Sequence, residues 1–249
     1  MATTTHTAQT LDRGLQVLEV LARADKDLTI SEIAEALNVH RTIGHRLVST
    51  LEQRDLVSRS AEGRYRLGAG LIRLAGAINR ELRAIARPLL TELSLETDET
   101  VGLAVLARTD VVFIDGHESS KALRVVTRTG LAYPAHSTSV GKAILATLDD
   151  EAVSALFPGT RLQKVGPKTV DSRAQLLGQL AAIRERGYAT NIEEAEDGVA
   201  SVAAAIVDRH GTTRAAVSVA APLDRFTTSI IPRLAKAVQR TAKEIGERL

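Results

Sequence analysis

The spacing of apolar positions makes the first part of the chain helical. Leu11, Leu15, Leu18 and Leu21, with Val17, return at helical intervals and predict one amphipathic helix. A second helix follows in TISEIAEALN, with Ile30, Ile33, Ala34 and Leu37 as its inward face. Thr29 or Ser31 is placed to cap it, and Glu32 falls in its first turn. After the tight turn of Asn38-Val39-His40 a third helix carries Ile43, Leu47, Val48 and Leu51 on a core stripe continued from Val39. Its opposite face presents Arg41, Thr42, His45, Arg46 and Ser49. Two short helices joined by so short a turn, with the small Ala34 where they cross, form a helix-turn-helix pattern. In that pattern the second helix is the one that reads bases.

The pattern then changes period. LVSRSAEGRYRLG reads as a strand over 56–59, a turn over 60–63 and a strand over 64–67. A basic hairpin directly after a helix-turn-helix is a wing. Arg59, Arg64 and Arg66 would neutralise phosphates there, with Tyr65 supporting the hairpin. The competing reading is a small helical module for protein contacts, which does not account for the basic hairpin. Leu71, Leu74, Ala75, Ile78, Leu82 and Ile85 resume helical spacing, with no Ser/Pro-rich linker among them. They predict a connector helix over about 71–84, a break or a new first turn at Pro88, and a helix over about 87–97. The domain division expected is 1–70, a connector over 71–86, and 87–249.

Beyond residue 98 strand and helix signals mix. TVGLAVLA and VVFIDGHE read as strands around a turn at Arg108-Thr109-Asp110, with ALRVVTR as a third. Helices are expected at about 139–148, 151–156 and 173–186, then the strands SVAAAIVD and RAAVSVAAP, then a last helix near 228–249. Strand meanders with flanking helices predict an α+β domain, making the chain an α+β protein of two domains.

Composition narrows the function classes. Apolar content of 44% and charged content of 25% are those of an ordinary globular chain. No cysteine is present, which removes disulfides, thiolate nucleophiles and Cys-type zinc sites. The longest apolar run, Val202 to Val207, is far shorter than the ~20 residues of a membrane span. MATTTHTAQT has no basic region followed by an apolar core, so no secretory signal is read there and a cytoplasmic protein is expected. Net charge is only +2, but between Asn38 and Arg73 seven arginines face three acids (Glu52, Asp55, Glu62). A local excess of arginine suits contact with a polyanion.

Candidate chemistry in the second half fails on spacing. STSVGKA has a Gly-Lys pair, but a phosphate loop needs glycine where His136 stands and Ser or Thr where Ala143 stands. Asp115, His117 and His136 with Ser137 or Ser139 make an arbitrary triad without a G-x-S-x-G elbow. His117, Glu118, His136 and the acids of EEAED lack metal-ligand spacing. The expectation is a chain with no catalytic residues, no metal and no cofactor.

Taken together, LDRGLQVLEVLA, LTISEIAEALNVHRTIGHRLVSTLEQRDLVSR and GRYRLG, then AHSTSVGKAILATL, RERGYATNIEEAEDGVASVAAAIVDRHG and AAVSVAAP, resemble the IclR family of bacterial transcriptional regulators, in order and through nearly the whole chain. The resemblance implies a winged helix that binds a palindromic operator in double-stranded DNA as a homodimer, often paired into tetramers. It also implies a GAF-like C-terminal domain enclosing a small-molecule effector, expected to be an organic acid. Family effector-contacting positions fall on Ser139, Val140, Asn191, Ser201, Ser218 and Ala220, with Val125 and Tyr133 as apolar wall. The chain departs from the family at Gly44, where a larger apolar residue is usual. Mid-helix glycine costs ~1 kcal/mol relative to alanine, so Gly44 implies either closer helix packing or a looser reading helix. It departs again at Asn191 and Ala220, where relatives that bind small oxo-acids often carry an acid or a second hydroxyl, implying a less polar pocket. The expected function is a ligand-responsive regulator, more readily a repressor of a catabolic operon. The alternative is a constitutive architectural DNA binder without effector control.

Overall fold

A computed structural model describes residues 8–249; most of the MATTTHTAQT stretch lies outside the described residues. The described chain falls into two compact units divided between Arg80 and Glu81. Among the described residues no helix is long and apolar enough to cross a membrane.

In the first unit α1 (Gln9–Arg23), α2 (Ile30–Ala36) and α3 (Arg41–Glu52) precede the hairpin of β1 (Val57–Arg59) and β2 (Tyr65–Leu67). Thr29 caps α2 in a reciprocal box: its hydroxyl accepts from the Glu32 N–H at 3.3 Å, and Glu32 Oε2 accepts from the Thr29 N–H at 2.7 Å. His40 caps α3, its Nδ1 accepting from the Thr42 N–H at 3.3 Å. Val17, Leu21, Ile30, Ile33, Leu47, Val48, Val57 and Tyr65 form the core. Leu28 exchanges both backbone hydrogen bonds with Tyr65, which binds the hairpin to the turn before α2. Tyr65 therefore supports the hairpin from inside the core.

Periodicity overstated this core at two places. Leu11 and Leu15 are exposed on α1, and Ile43 turns outward on α3. The buried position on α3 is instead Gly44. A Cβ placed there would lie 3.1 Å from Ala34 Cβ, so glycine lets α3 lie close over α2. Of the two explanations for Gly44, close packing is the one the geometry supports.

In place of a single connector helix over 71–84, the chain forms α4 (Gly70–Ala77), a break at Ile78-Asn79 and α5 (Arg80–Thr97). Asn79 takes φ +47°, which ends α4 without a proline. Pro88 lies inside α5 and does not break it. It forgoes one ladder hydrogen bond, while Leu82, Ala86, Leu89, Leu90 and Leu93 bury the face that holds the helix.

The second unit is built on one six-stranded antiparallel sheet in the order β5-β4-β3-β8-β7-β6. Its strands are β3 (Thr100–Ala107), β4 (Asp110–His117), β5 (Ala132–Pro134), β6 (Ala189–Ile192), β7 (Val199–Val207) and β8 (Thr213–Pro222). Alternation sorts the residues of the central strands by face. Val101, Leu103, Val202, Ala204, Ile206, Val217 and Val219 pack with α5 and α9 (Ile231–Glu247). Ala104, Ala203 and Ala216 face α6 (Ser139–Leu145), α7 (Asp150–Leu156) and α8 (Arg173–Arg186). The third strand expected at ALRVVTR does not form. Residues 122–128 are irregular, Thr100 Oγ1 donates to the Val125 carbonyl at 2.6 Å, and β5 takes the place beside β4. Two adjacent valines, Val125 and Val126, cannot both point to one side of a strand, and here they roof a cavity.

Candidate functional site

On α3, Arg41, Thr42, His45 and Arg46 are exposed and Ser49 is half-buried, all on the face away from Leu47 and Val48. His45 Nδ1 lies 3.4 Å from Ser49 Oγ one turn on. Exposed cations in a row along one helix are inexpensive in water and strong against a polyanion. The three wing arginines separate in role. Arg59 stacks 5.7 Å over the Tyr65 ring, and Arg66 Nε donates to Ser58 Oγ at 3.4 Å on the exposed side. Arg64 instead donates to the Asp27 carbonyl at 3.1 Å and to Glu32 Oε2 at 3.4 Å, so its guanidinium ties the wing to α2. Arg64, expected to meet phosphate, thus also has a structural tie. A backbone carbonyl and a capping carboxylate hold it first.

The second unit holds a cavity on the α6 face of its sheet, partly open to solvent, with about 70 Å³ of enclosed space. All eight positions expected to meet an effector line it: Val125, Tyr133, Ser139, Val140, Asn191, Ser201, Ser218 and Ala220. Register explains why residues so far apart converge. Asn191 on β6 pairs with Ser201 on β7, Ser201 with Ala220 on β8, and Ala220 with Thr100 on β3. The four make one row across the sheet. Ser218, opposite Gly102, lies in the next. Thr100, Phe113, Thr138 and Leu131 also line the cavity. Sequence reasoning missed them, although the alternation that puts Gly102 and Ala104 on this face also assigns it Thr100.

The cavity is rich in neutral donors. Thr138 caps α6 by accepting from the Gly141 N–H at 3.0 Å, while the N–H groups of Ser139 and Val140 have no partner among the described residues. Ser139 and Ser201 share a hydrogen bond of 2.7 Å. Asn191, in the lining, accepts at Oδ1 from the Glu194 N–H at 2.8 Å, which leaves its amino group as the end free to donate. Ser218 is buried on the same wall. Phe113 and Tyr133 meet edge to face, 6.3 Å between centroids, on the apolar side. Burial, assisted by the Glu196 charge, pushes the Tyr133 hydroxyl pKa up, so it stays a neutral donor.

The rejected constellations are dispersed. His117 Nε2 pairs with Thr91 Oγ1 at 2.9 Å, and His136 Nε2 with the Gln163 carbonyl at 2.8 Å. Asp115 Oδ2 stands 3.9 Å from Arg83 Nε. Among the described residues no three His, Asp or Glu side chains converge as a metal site requires. Lys142 of the Gly-Lys pair is buried against Glu194 rather than facing a phosphate.

Comparison with known proteins joins the two sites. Residues 10–61 match the family model described as the IclR helix-turn-helix domain, and residues 76–247 match that described as bacterial transcriptional regulator IclR C-terminal. The transcriptional repressor IclR of Escherichia coli is 32% identical over 98% of this chain and 91% of its own length. The crystal structure of Thermotoga maritima IclR superposes with a TM-score of 0.75 at 29% identity, covering 96% of this chain and 98% of that one. An IclR homologue from Microbacterium hydrocarbonoxydans, complexed with 4-hydroxybenzoate, gives 0.84 at 26% identity over 96% and 98%. These matches take in both the exposed helix and the cavity-bearing sheet. The chain belongs to the IclR family of bacterial transcriptional regulators, DNA-binding proteins rather than enzymes.

Proposed function

We propose that the chain is a cytoplasmic one-component repressor of a nearby catabolic operon, released from or retained on a palindromic operator by a small organic acid in the C-terminal cavity. The observation that carries this reading is the convergence of eight positions from six separate segments on one cavity, Ser139, Asn191, Ser201 and Ser218 supplying neutral polar groups. With Glu196 the one acidic side chain in the lining, neutral hydroxyl and amide donors suit a carbonyl or carboxylate oxygen. The similar protein from Microbacterium hydrocarbonoxydans holds such an acid. Arg41, Thr42, His45, Arg46 and Ser49 read the operator, with Arg59, Arg66 and, through its remaining donors, Arg64 on its phosphates. A palindrome calls for two copies related by a two-fold axis. Leu11, Leu15, Ile72, Leu74 and Ile78, all exposed in the first unit, offer apolar surface for a second copy in a homodimer or tetramer. Effector control requires unequal affinity of the acid for the DNA-competent and incompetent arrangements.

The test is capture of sheared genomic DNA on the purified protein at two salt concentrations. Recovery of a few palindromic sites that persist at raised salt supports the reading, and the operon beside them nominates the acid. Diffuse recovery that disappears with salt moves the architectural alternative to the front.

A further inference from the structure

Behind the cavity lies a buried charge pair that operator binding does not use. Lys142 of α6 is 2% exposed and Glu194 7%. Lys142 Nζ stands 2.6 Å from both Glu194 carboxylate oxygens and 2.9 Å from Gln179 Oε1. Such a pair is a poor source of stability, because desolvating two charges offsets most of their attraction. Its position suggests another use. Lys142 follows Ser139 and Val140 on α6, and Glu194 follows Asn191 and precedes Ala195 and Glu196, which line the cavity. The ion pair therefore joins two of the cavity's walls.

The turn that carries Glu194 is held on its other side too. Glu193 sits at φ +56°, an unfavourable backbone for glutamate, and such residues persist only where their surroundings fix them. Its carbonyl accepts from the Lys168 N–H at 3.0 Å. The Glu194 carbonyl accepts from the Gly166 N–H at 3.0 Å and from the Thr169 hydroxyl. The Glu194 N–H then donates to Asn191 Oδ1 at 2.8 Å. A side-chain amide offers a donor at one end and an acceptor at the other. With Oδ1 held by the turn, the amino end is the one without a protein partner among the described residues.

We propose that Lys142 and Glu194 are positioning residues for the cavity. By clamping the turn after β6 onto α6 they hold Asn191 amino-end inward, and the cavity thereby selects a ligand with a carbonyl or carboxylate oxygen at that point over one with an N–H. The selection rests on the cavity being the effector site; the clamp does not.

The chain has three asparagines, Asn38, Asn79 and Asn191, so nitrogen-15 asparagine labelling of the full protein gives three side-chain amino pairs. Asn191→Asp assigns the third by its disappearance. Exchange of the Asn191 pair with water is expected to be slower than that of the other two by roughly tenfold or more. Lys142→Met alone strands a buried carboxylate, so the double variant Lys142→Met/Glu194→Gln, which removes both charges, keeps the chain folded. In it the Asn191 pair loses its protection while the Asn38 and Asn79 pairs and a cooperative melt are retained. Retained protection at Asn191 overturns the clamp. Titration with 4-hydroxybenzoate and with 4-hydroxybenzylamine tests the selection on the same signals: the acid shifts the Asn191 pair and the amine does not. Equal response to both compounds overturns the selection. Silence to both overturns the effector reading of the cavity, and the clamp is then judged by exchange alone.

Discussion

The recognition groups of α3 stand mostly in water and lie within three turns of one helix, from Arg41 to Ser49. Those of the cavity are mostly buried and come from β3, β5, β6, β7, β8, α6 and the irregular segment after β4. The contrast follows from the partners. A polyanion is met by exposed cations, whose gain comes largely from release of counterions. A small ligand must be stripped of water, and a lone buried cation waiting for it would cost several kcal/mol. The cavity uses neutral donors instead, fixed by strand register and helix caps. One consequence is that α3 can change side chains without changing its fold, whereas the cavity's walls are the fold.

The strongest way to break that comparison is a change at the cavity wall that leaves every donor in place. A Cβ on Gly141 would lie 2.1 Å from the Ala135 carbonyl oxygen, a backbone atom that cannot swing aside. Gly141→Ala is expected to destabilise the chain by about 3 kcal/mol, seen as a lower denaturation midpoint. A midpoint unchanged from wild type would show that α6 is free to shift. On α3 the expectation is the reverse. Arg46→Ala should leave the midpoint alone and weaken operator binding by roughly 1–3 kcal/mol if the arginine reads a base. Equal loss on every DNA sequence would reassign Arg46 to phosphate, and no loss on any would remove it from the interface.

The wing sharpens the comparison within one unit. Arg66 is exposed, whereas Arg64 holds the Asp27 carbonyl and Glu32. Arg66→Ala should lower affinity evenly across DNA sequences and reduce the salt slope by about one. Arg64→Ala should cost about 1 kcal/mol of stability and lower the salt slope by less than Arg66→Ala does. A full unit of slope lost at Arg64 would put its guanidinium on DNA as fully as that of Arg66.

This division also marks what could be read from the chain. The three helices and the hairpin of the first unit were legible because their caps, turn and apolar stripe are local. The helix over Arg173–Arg186 and the strand over Thr100–Ala107 were legible for the same reason. The tie made by Arg64 was not, since one of its acceptors is a backbone carbonyl that carries no sequence signal. ALRVVTR was misread because a strand and a cavity roof draw on the same apolar residues, and only pairing tells them apart. Leu11, Leu15 and Ile43 show the limit of periodicity: it finds an apolar face and not what covers it. The effector positions came from the family resemblance. Nothing in the spacing of Asn191, Ser201, Ser218 and Ala220 announces that register will set them side by side. Gly44 needed the structure as well, since Ala34 becomes its neighbour only when α2 and α3 cross.

The smallest effect expected concerns the carboxylate that both caps α2 and meets Arg64. Glu32 has its pKa lowered from 4.5 to about 2, chiefly by the Thr29 N–H, then by the Thr29 hydroxyl and by Lys26. A carboxylate depressed in the folded state stabilises it fully above the unfolded value and loses that contribution as pH falls through the folded one. The window therefore runs from about 4.5 down to about 2. The group is open to solvent, so its share is screened and modest. Glu32→Gln keeps a residue that can complete the capping box but does not titrate. Wild type should thus be the more stable of the two near neutral pH, with the gap in denaturation midpoint closing across this window. Other lowered acids, Glu99 and Asp208 among them, are common to both proteins and cancel in the difference. A gap that stays constant from pH 5 to pH 2 would mean that the Thr29–Glu32 box holds the charged carboxylate no better than the unfolded chain does, and that α2 owes its start to the Thr29 hydroxyl alone.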